Sequence, residues 1–473
     1  MSERVDLGTP SHRPTVNAFD SSELLARIEL ALARVAEQAD ARSAVLTWPV
    51  PRVPSERLLG AELEGDALLW APPGDGEVCA LGSAFTLSAA GSQRFADILR
   101  QANTVWPLLD QSAADRAAPA PCFFGGFAFQ TGRARSALWQ AFGDARFVLP
   151  ELSYLKTSEG AWLRLIVRAA ELSKAALREA LSERVRRSLR ALFDANVAGR
   201  PEHAHLLARK ERSADDWAAL IAAIQSEIKT GRVQKIVAAR RVSLSLDREL
   251  SPASVQARLR EDAPESTRFA FRVQGSTFLG ATPEGLLRKR GAELTTEAVA
   301  GSVSADDDAS TSRLLESGKD SREHEFVVRE ILRLLEPLTS ELSPGKREVH
   351  RLRTVLHLRT PIRARLREAS HVLDLVGRLH PTPAVGGVPT NAALDFITQH
   401  EPDERGWYAG PVGWFDAAGD GRFVVALRAG LVTGKRAELY AGAGIVKDSN
   451  APSEFAETRW KLAALLGALG VSG

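Results

Sequence analysis

The stretch that decides the fold is "RFAFRVQGSTFLGATPEGLLRKRGAELTTEAVAGS", residues 268–302. Its apolar and polar residues alternate with a period of two, and glycine-containing turns interrupt the alternation, which is typical of antiparallel hairpins. The stretch "GRFVVALRAGLVTGKRAELYAGAGIV" (421–446) has the same pattern, whereas "SREHEFVVREILRLLEPL" (321–338) has helical spacing. Long hairpins interrupted by helices predict an α/β protein of the α+β type, with large, mainly antiparallel sheets packed with helices.

The flanking sequence extends this organisation in both directions. Helical spacing also occurs in 21–39 and 173–195, and a helix at 214–229 precedes a strand that ends near residue 246. Residues 1–17 are rich in Ser, Pro and charge and predict a flexible tail. Residues 196–213 are polar without a sustained period, so we interpret them as a linker.

Composition limits the possible partners and location. Of the 473 residues, 61 are Lys or Arg and 59 are Asp or Glu, and this balance favours neither nucleic acid nor an anionic membrane as a partner. The two cysteines, Cys79 and Cys122, fit a reducing compartment and are expected to be small buried hydrophobic residues. No apolar run approaches the roughly 20 residues that span a bilayer, and the polar start lacks the apolar core of a signal peptide. We therefore expect a cytoplasmic protein.

Lys235 is the first candidate for chemistry, in the strand-like run "VQKIVAAR" (233–240). It could be an edge lysine that keeps its ammonium in water. Alternatively, its neighbours desolvate it, its pKa falls, and the neutral amine acts as a base.

Glu284 is the second candidate, in "LGATPEGLL" (279–287), between a proline and a glycine at the end of a strand. A carboxyl group in this position is often only a turn residue. It could equally be a general acid that an apolar pocket keeps protonated.

Carboxylates on two predicted helices form the third candidate. In "SEFAETRWKL" (453–462), Glu454, Glu457 and Lys461 lie on one helix face, and Glu323 lies on the helix of "KDSREHEF" (319–326). Both groups could be solvated surface. If the carboxylates converge, they suit a hard cation such as Mg²⁺. The His and Cys residues lack zinc-site spacing.

The last candidate lies in the final hairpin. Arg428 can bind a carboxylate through two hydrogen bonds, and Gly442 and Gly444 would let backbone N–H groups approach an anion. The "GAG" of this hairpin is not a dinucleotide loop, because no helix opens on it and no βαβ unit surrounds it.

Ten ordered segments resemble the chorismate-utilising enzymes, which include isochorismate synthase, salicylate synthase, anthranilate synthase component I and aminodeoxychorismate synthase. The segments are "KIVAARR", "FLGATPEGLL", "AVAGS", "KDSREHEFVV", "LHLRTPIRARL", "LHPTPAVGGVP", "GWYAGPVGWFD", "VVALRAG", "LYAGAGIV" and "EFAETRWKL". The resemblance implies an anthranilate synthase component I-like fold. It further implies a chorismate-binding catalytic region at 210–471, with residues 18–200 as the N-terminal part of the same fold. "PCFFGGFAF" (121–129) resembles a motif of that N-terminal part.

The resemblance also implies roles for site residues. Glu323 and Glu457 would bind Mg²⁺ with support from Glu454, and the metal would hold the ring carboxylate of chorismate. Gly301 and Ser302 would fix that carboxylate, and His357 would orient groups near the ring. The pyruvyl side would be bound by a set of five residues: Tyr408, Arg428, Gly442, Gly444 and Lys461.

Two positions favour one activity within the family. Lys235 stands where ammonia-using members have Gln, and Ala384, in "HPTPAVGG", stands where they tend to have a Gly-Thr pair. The resemblance therefore implies isochorismate synthase activity, in which Lys235 activates water for attack on C2 and Glu284 protonates the departing C4 hydroxyl. The alternatives are a salicylate synthase, an aminating enzyme or a non-catalytic diacid-binding protein. We expect chorismate as the small-molecule partner, neither nucleic acid nor a membrane as a partner, and a monomer or homodimer.

Overall fold

The computed structural model describes residues 19–37, 42–61, 65–132, 136–194, 203–304, 310–352 and 355–472. The predicted tail at 1–17 lies outside them. The α-helices are α1 Ser21–Ala36, α2 Arg94–Val105, α3 Ala169–Leu172, α4 Ala175–Phe193, α5 Ala214–Lys229, α6 Pro252–Asp262, α7 Ser310–Glu316, α8 Gly318–Leu335, α9 Val372–Leu379, α10 Thr390–His400 and α11 Ala451–Leu469. Short 3-10 helices cover Ser55–Gly60, Trp106–Leu108 and Glu336–Leu338.

The strands of the N-terminal half are β1 Ser43–Pro49, β2 Ala67–Ala71, β3 Glu77–Ala89, β4 Leu109–Asp110, β5 Cys122–Phe127, β6 Ala145–Lys156 and β7 Ala161–Arg168. Those of the C-terminal half are β8 Ala204–Glu211, β9 Lys235–Leu246, β10 Thr267–Val273, β11 Ser276–Thr282, β12 Gly285–Arg290, β13 Glu293–Ser304, β14 Thr339–Pro344, β15 Glu348–Arg351, β16 Val355–Leu366, β17 Gly387–Val388, β18 Pro411–Asp416, β19 Gly421–Val425, β20 Ala429–Thr433, β21 Arg436–Ile445 and β22 Val471–Ser472.

The predicted hairpins are present and pair with one another. Strands β10 and β11, β12 and β13, and β20 and β21 form antiparallel hairpins. Strand β11 also pairs with β20, and β12 pairs with β19, so the two stretches of sequence share one sheet. The predicted architecture of mainly antiparallel sheet packed with helices is confirmed.

The two halves of the chain belong to the same sheet network. Strand β2 pairs with β10, and β5 pairs with β18, both antiparallel. Successive side chains of a strand point to opposite faces. In β11, accordingly, Phe278 belongs to one hydrophobic core and Leu279 to the other.

Hydrogen-bonding caps fix the starts of the two helices that carry the predicted carboxylates. Ser317 accepts a hydrogen bond from the Asp320 N–H at 3.2 Å and begins α8. Asn450 accepts one from the Ser453 N–H at 3.1 Å and begins α11. These side chains satisfy backbone donors that the first turn of a helix leaves open.

The linker prediction for 196–213 is wrong for residues 204–211, which form β8 and pair with β9. Most of β8 is exposed. An edge strand of this kind tolerates polar residues on both faces, so it lacks the apolar alternation that marks a buried strand.

Glycines in β5 allow the close backbone approach that the sequence predicts. A Cβ on Gly125 would collide with the carbonyl oxygen of Arg146 on the neighbouring strand. A Cβ on Gly126 would lie 2.9 Å from the Trp407 ring. Strand β5 therefore packs directly against Trp407, the residue before Tyr408.

Both cysteines are free thiols, as predicted, with Cys79 buried and Cys122 partly buried. Burial raises the pKa of the Cys122 thiol to about 12. Across the residues that the structure describes, we find no helix whose length and apolar character would allow it to cross a membrane.

Candidate active site

One cavity brings together most of the predicted site residues. Its lining contains twelve of them: Glu284, Gly301, Ser302, Glu323, His357, Ala384, Tyr408, Arg428, Gly442, Gly444, Glu457 and Lys461. Lys235 and Glu454 are the two predicted site residues that do not line it.

Lys235 lies directly behind the cavity wall. It is the first residue of β9, is fully buried, and its Nζ lies 2.9 Å from Oε1 of Glu323. Strand β9 pairs with β21 and, at Lys235 itself, with β17. The edge-lysine interpretation is therefore excluded. The lysine reaches the site through a carboxylate that does line the cavity.

Glu284 lies in the short connection between β11 and β12 and is buried. Burial and then the charge of Glu297 raise the pKa of its carboxyl to about 8, against the opposing charges of Lys235 and Lys461. A carboxyl with this pKa holds its proton near neutral pH. It can therefore donate that proton inside the cavity.

Glu297 is a functional neighbour that the sequence analysis missed. Its Oε1 accepts a hydrogen bond from the Gly285 N–H at 2.7 Å, and its Oε2 accepts one from Nε of Arg359 at 2.5 Å. The available signal was one acidic residue inside "TTEAVA", a run that otherwise suits a half-buried strand.

A β-bulge directs Gly301 and Ser302 into the cavity. The register of β13 against β16 shifts between Ala300 and Ser302. Gly301 has a φ of 75°, and a Cβ there would lie 2.9 Å from Cβ of Asp320 at the start of α8. Only glycine combines this left-handed conformation with so close a helix.

His357 is held between this bulge and Arg428. Its Nδ1 lies 2.9 Å from Oγ of Ser302 and 3.2 Å from the carbonyl oxygen of Gly301. Its Nε2 lies 3.3 Å from Nη2 of Arg428. A guanidinium only donates, so Nε2 accepts and Nδ1 carries the proton. Burial, then Arg428 and Lys461, lower the pKa of His357 well below its ordinary value, so the ring is neutral.

Arg428 is cationic and conformationally constrained. Its φ of 49° is unusual for a residue other than glycine, and such strain often accompanies functional sites. Burial lowers the pKa of its guanidinium to about 10, which leaves it charged at neutral pH. Tyr408 lines the same cavity and stacks on Tyr440 with ring centroids 5.2 Å apart.

The charged face of α11 points toward the cavity and is not part of the solvated surface. Glu454 is 1% exposed. Oε1 of Glu457 lies 2.6 Å from Nζ of Lys461, which also donates to the carbonyl oxygen of Gly442 at 2.9 Å. The helix is thereby joined to β21 through one of the predicted anion-binding glycines.

Arg240 is a second residue that the sequence analysis did not select. It is buried on β9, and its Nε donates to Oγ1 of Thr458 on α11 at 2.7 Å. Its Nη1 donates to Glu211 at 2.5 Å. The bond from Arg240 to Thr458 fixes α11, which carries Glu457, against β9, which carries Lys235.

The carboxylates fit a magnesium ion by their chemistry. Glu323 and Glu457 line one cavity from different helices, and each has a lysine ammonium as its counter-charge. Within the described ranges, no three His, Cys, Asp or Glu side chains cluster closely enough to hold a metal by themselves. Mg²⁺ commonly takes only one or two protein carboxylates, with substrate and water oxygens as its other ligands.

Comparisons with known proteins agree with this geometry. The model of the chorismate binding enzyme family matches residues 30–470. The salicylate biosynthesis isochorismate synthase of Pseudomonas aeruginosa is 39% identical over 408 residues, which are 83% of this chain and 83% of that protein. The structure of MenF, the menaquinone-specific isochorismate synthase from Escherichia coli, matches with a TM-score of 0.78 at 27% identity. The match covers 94% of this chain and 99% of that one.

A further solved structure supports the fold prediction alone. Anthranilate synthase component I from Streptococcus pneumoniae matches with a TM-score of 0.68 at 22% identity, over 83% of this chain and 92% of that one. The predicted fold is confirmed, and the chain belongs to the chorismate binding enzyme family.

Proposed function

We propose that this chain is an isochorismate synthase, which adds water to C2 of chorismate and releases the C4 hydroxyl. The observation that carries the proposal is a cavity lined by a proton-bearing carboxyl, Glu284, with the buried amine of Lys235 directly behind its wall. Lys235 contacts Glu323 of the cavity wall, and its charge acts on the carboxyl of Glu284. Similar proteins from Pseudomonas aeruginosa and Escherichia coli carry the name isochorismate synthase, which supports the same activity.

Lys235 is the general base of the proposed reaction, in which it acts as the neutral amine after it has released the proton that it holds in its ion pair with Glu323. It accepts a proton from the water that attacks C2, and the ring double bonds shift as the new C–O bond forms. Its complete burial leaves no bulk water around the amine. A positioned base of this kind contributes roughly 10²–10⁴-fold to the rate.

Glu284 is the general acid. Hydroxide is a poor leaving group, so the C4 oxygen must receive a proton as its bond to carbon breaks. The raised pKa of about 8 keeps that proton on Glu284 at neutral pH. Enzymes usually carry out both proton transfers at one pH by placing the acid and the base in environments that move their pKa values apart.

The cavity also suits the two carboxylates of chorismate. We assign the ring carboxylate to the Gly301–Ser302 bulge, beside the neutral His357. We assign the pyruvyl carboxylate to Arg428, with Tyr408, Gly442, Gly444 and Lys461 around it. Arg428 and Lys461 supply the positive charge that a bound dianion requires.

Magnesium completes the proposal. We infer that Glu323 and Glu457 hold the ion and that Glu454, buried one turn earlier on α11, supports them. When bound, the ion neutralises and orients the substrate carboxylate. The monomeric or dimeric state and the cytoplasmic location stay predictions.

Product analysis from chorismate tests the proposal. We expect isochorismate without pyruvate in the presence of Mg²⁺, and no turnover after chelation. Lys235→Gln and Glu284→Gln should each lower kcat by roughly 10²–10⁴-fold. Lys289→Gln is the matched control, because Lys289 is also buried and paired with a carboxylate, Asp420, but lies outside the cavity.

Other products would identify the alternatives. Pyruvate released in step with turnover would indicate a salicylate synthase, and an aminated ring formed with ammonia would indicate an aminating enzyme. If the chain binds chorismate without turnover, and Lys235→Gln and Glu284→Gln bind it with unchanged affinity, the chain is a diacid-binding protein. Each of these outcomes contradicts the proposed function.

A further inference from the structure

A gap in the strand pairing of β9 lies directly after Lys235. On one edge, β9 pairs with β21 from Ile236 to Ser245. On the opposite edge, it pairs with β17 only at its first two residues, and with β8 only from Val242 onward. Within the described part of the chain, no strand covers residues 237–241 on this second edge. The backbone groups along it therefore need other hydrogen-bond partners.

A buried ion pair fills this gap. The side chains of Arg405 and Glu401 are each 3% exposed, and Nη2 of Arg405 lies 2.5 Å from Oε1 of Glu401. Nη2 also donates to the carbonyl oxygen of Val237 at 2.7 Å, and Oε1 of Glu401 accepts a hydrogen bond from the Ala239 N–H at 2.9 Å. The two side chains thus bind the backbone of β9 as a neighbouring strand would.

Arg405 joins β9 to further segments around the cavity. Its Nη1 donates at 2.9 Å to the carbonyl oxygen of Val385, which follows Ala384 in the cavity wall. Its own carbonyl oxygen accepts a hydrogen bond from the Tyr408 N–H at 2.9 Å. The guanidinium lies over the Phe129 ring, with 4.2 Å between Cζ and the ring centroid. This last contact connects the aromatic motif that ends at Phe129 to the cavity.

Most of the hydrogen-bonding capacity of Arg405 is used within the protein, although the residue lines the cavity. A guanidinium has five N–H groups, and Arg405 makes four hydrogen bonds with them, to Glu401, Val237 and Val385. The carboxylate of Glu401 offsets its charge. These contacts indicate that Arg405 holds segments of the protein in place.

Stability alone does not account for such a pair. The free-energy cost of removing two charges from water can exceed their attraction, and well-packed apolar residues in their place are often as stable. The pair instead provides fixed geometry, because the planar guanidinium holds its acceptors in set directions. One of these acceptors is the carbonyl oxygen of Val237, two residues after Lys235.

We propose that Arg405 and Glu401 are positioning residues of the reaction, which hold β9 in the geometry that places the Lys235 amine at the cavity wall. The inference rests on the proposed function, in which Lys235 is the base. The pair takes the place of a strand between β17 and β8 and ties β9 to the segment that carries Ala384. Its effect on the rate comes through Lys235, because a displacement of about 1 Å in a reacting group can cost about 10²-fold.

Replacement of both charges by apolar residues tests the proposal. We expect Arg405→Met combined with Glu401→Leu to melt near the parent temperature but to lower kcat for isochorismate formation by about 10²-fold, with a smaller change in KM. The matched control is Glu56→Leu combined with Arg268→Met, because this buried pair lies outside the catalytic cavity, and it should keep the parent kcat. Parent kcat in the folded double variant of Arg405 and Glu401, or a rise in KM alone, would overturn the proposal.

A second variant covers the case in which this double variant does not fold. Arg405→Lys keeps a positive charge beside Glu401, but one ammonium cannot reproduce the planar fork that also reaches Val237 and Val385. It should lower kcat by about tenfold or more. Unchanged kcat in Arg405→Lys would overturn the proposal. Failure of both variants to fold would assign the pair to stability alone and overturn it as well.

Hydrogen exchange separates this inference from the proposed function, because it needs no turnover. The Val237 N–H donates to the carbonyl oxygen of Gly386 at 2.9 Å, and it should exchange about tenfold faster or more in Arg405→Lys. Amides at 242–245, which β8 and β21 flank, should be unchanged. If the parent chain forms no isochorismate but exchange changes in this way, the proposed function is wrong and the hold of Arg405 on β9 is supported. Unchanged exchange at Val237 would overturn that hold.

Discussion

The carboxylate of Glu297 accepts a hydrogen bond from the backbone N–H of Gly285 at 2.7 Å, which places a negative charge beside Glu284. Arg359 holds Glu297 from the other side at 2.5 Å. Burial is the larger reason for the raised pKa of Glu284, and the charge of Glu297 adds to it. The pKa of Glu284, the proposed proton donor, thus depends in part on Glu297, which Arg359 holds in place.

The raised pKa of Glu284 makes a prediction about stability. Its carboxyl has a pKa of about 8 in the folded chain and an ordinary value of 4.5, so between these values the folded state binds the extra proton. Stability from this group is therefore lost as the pH rises, by about 1.4 kcal/mol per unit. Glu284→Gln should be free of this loss. Urea unfolding of both proteins between about pH 5 and about pH 9 measures the difference.

The two proteins should be most alike at the acidic end of this range, and Glu284→Gln should gain on the parent chain up to about pH 8. All other titrating groups are shared, so they cancel in the comparison. A pH-independent difference between the two would contradict the raised pKa.

Glu297→Gln should move the alkaline limb of the pH profile of kcat/KM to lower pH. The limb reports the pKa of the essential acid in the free enzyme, and removal of the Glu297 charge lowers the pKa of Glu284. Glutamine can still accept the hydrogen bond from Gly285. Glu348→Gln is the control, because Glu348 pairs with the same Arg359 at 3.2 Å but is half exposed. A limb that moves only in the control variant would disprove the role of Glu297.

The regular elements were predictable because their periodicity is local. The hairpins at 268–302 and 421–446 carry a period of two, and α8 carries helical spacing within a few turns. The residues of the cavity were predicted through family resemblance, since no single motif would have assembled them. The edge strand β8 was missed because its mostly exposed faces need no apolar alternation.

The contacts that tune the site depend on strand register, which the sequence does not specify. Glu297 meets Arg359 because β13 pairs with β16 in one register, with Val299 opposite Arg359. Lys235 is buried because β21 and β17 flank β9, and neither neighbour is visible in the run "VQKIVAAR". A shift by one residue would turn each side chain to the other face.

Gly444→Ala should lower kcat strongly, by roughly 10²-fold, because it displaces catalytic groups. A Cβ at this position would collide with Oε1 of Glu323 and lie 3.0 Å from Cε of Lys235. Gly442→Ala is the matched control. Its Cβ would lie 3.1 Å from the carbonyl oxygen of Ala238 and 3.3 Å from the Tyr408 hydroxyl, so small shifts accommodate it. Steady-state kinetics and thermal melts of both variants measure the effect, and a larger loss in Gly442→Ala would refute this account.

Glu323→Gln and Glu457→Gln should each weaken Mg²⁺ binding by about 10–100-fold or more, because even residues that only support a metal ligand change affinity by this factor. Each carboxylate now faces a lysine ammonium, Lys235 or Lys461, and the neutral amide cannot offset a divalent charge. Isothermal titration calorimetry with Mg²⁺ alone measures this without turnover. Glu325→Gln is the control on the same helix, because its side chain is exposed. Full Mg²⁺ affinity in both cavity variants would remove these carboxylates from the metal site and leave their lysine pairs as their whole role.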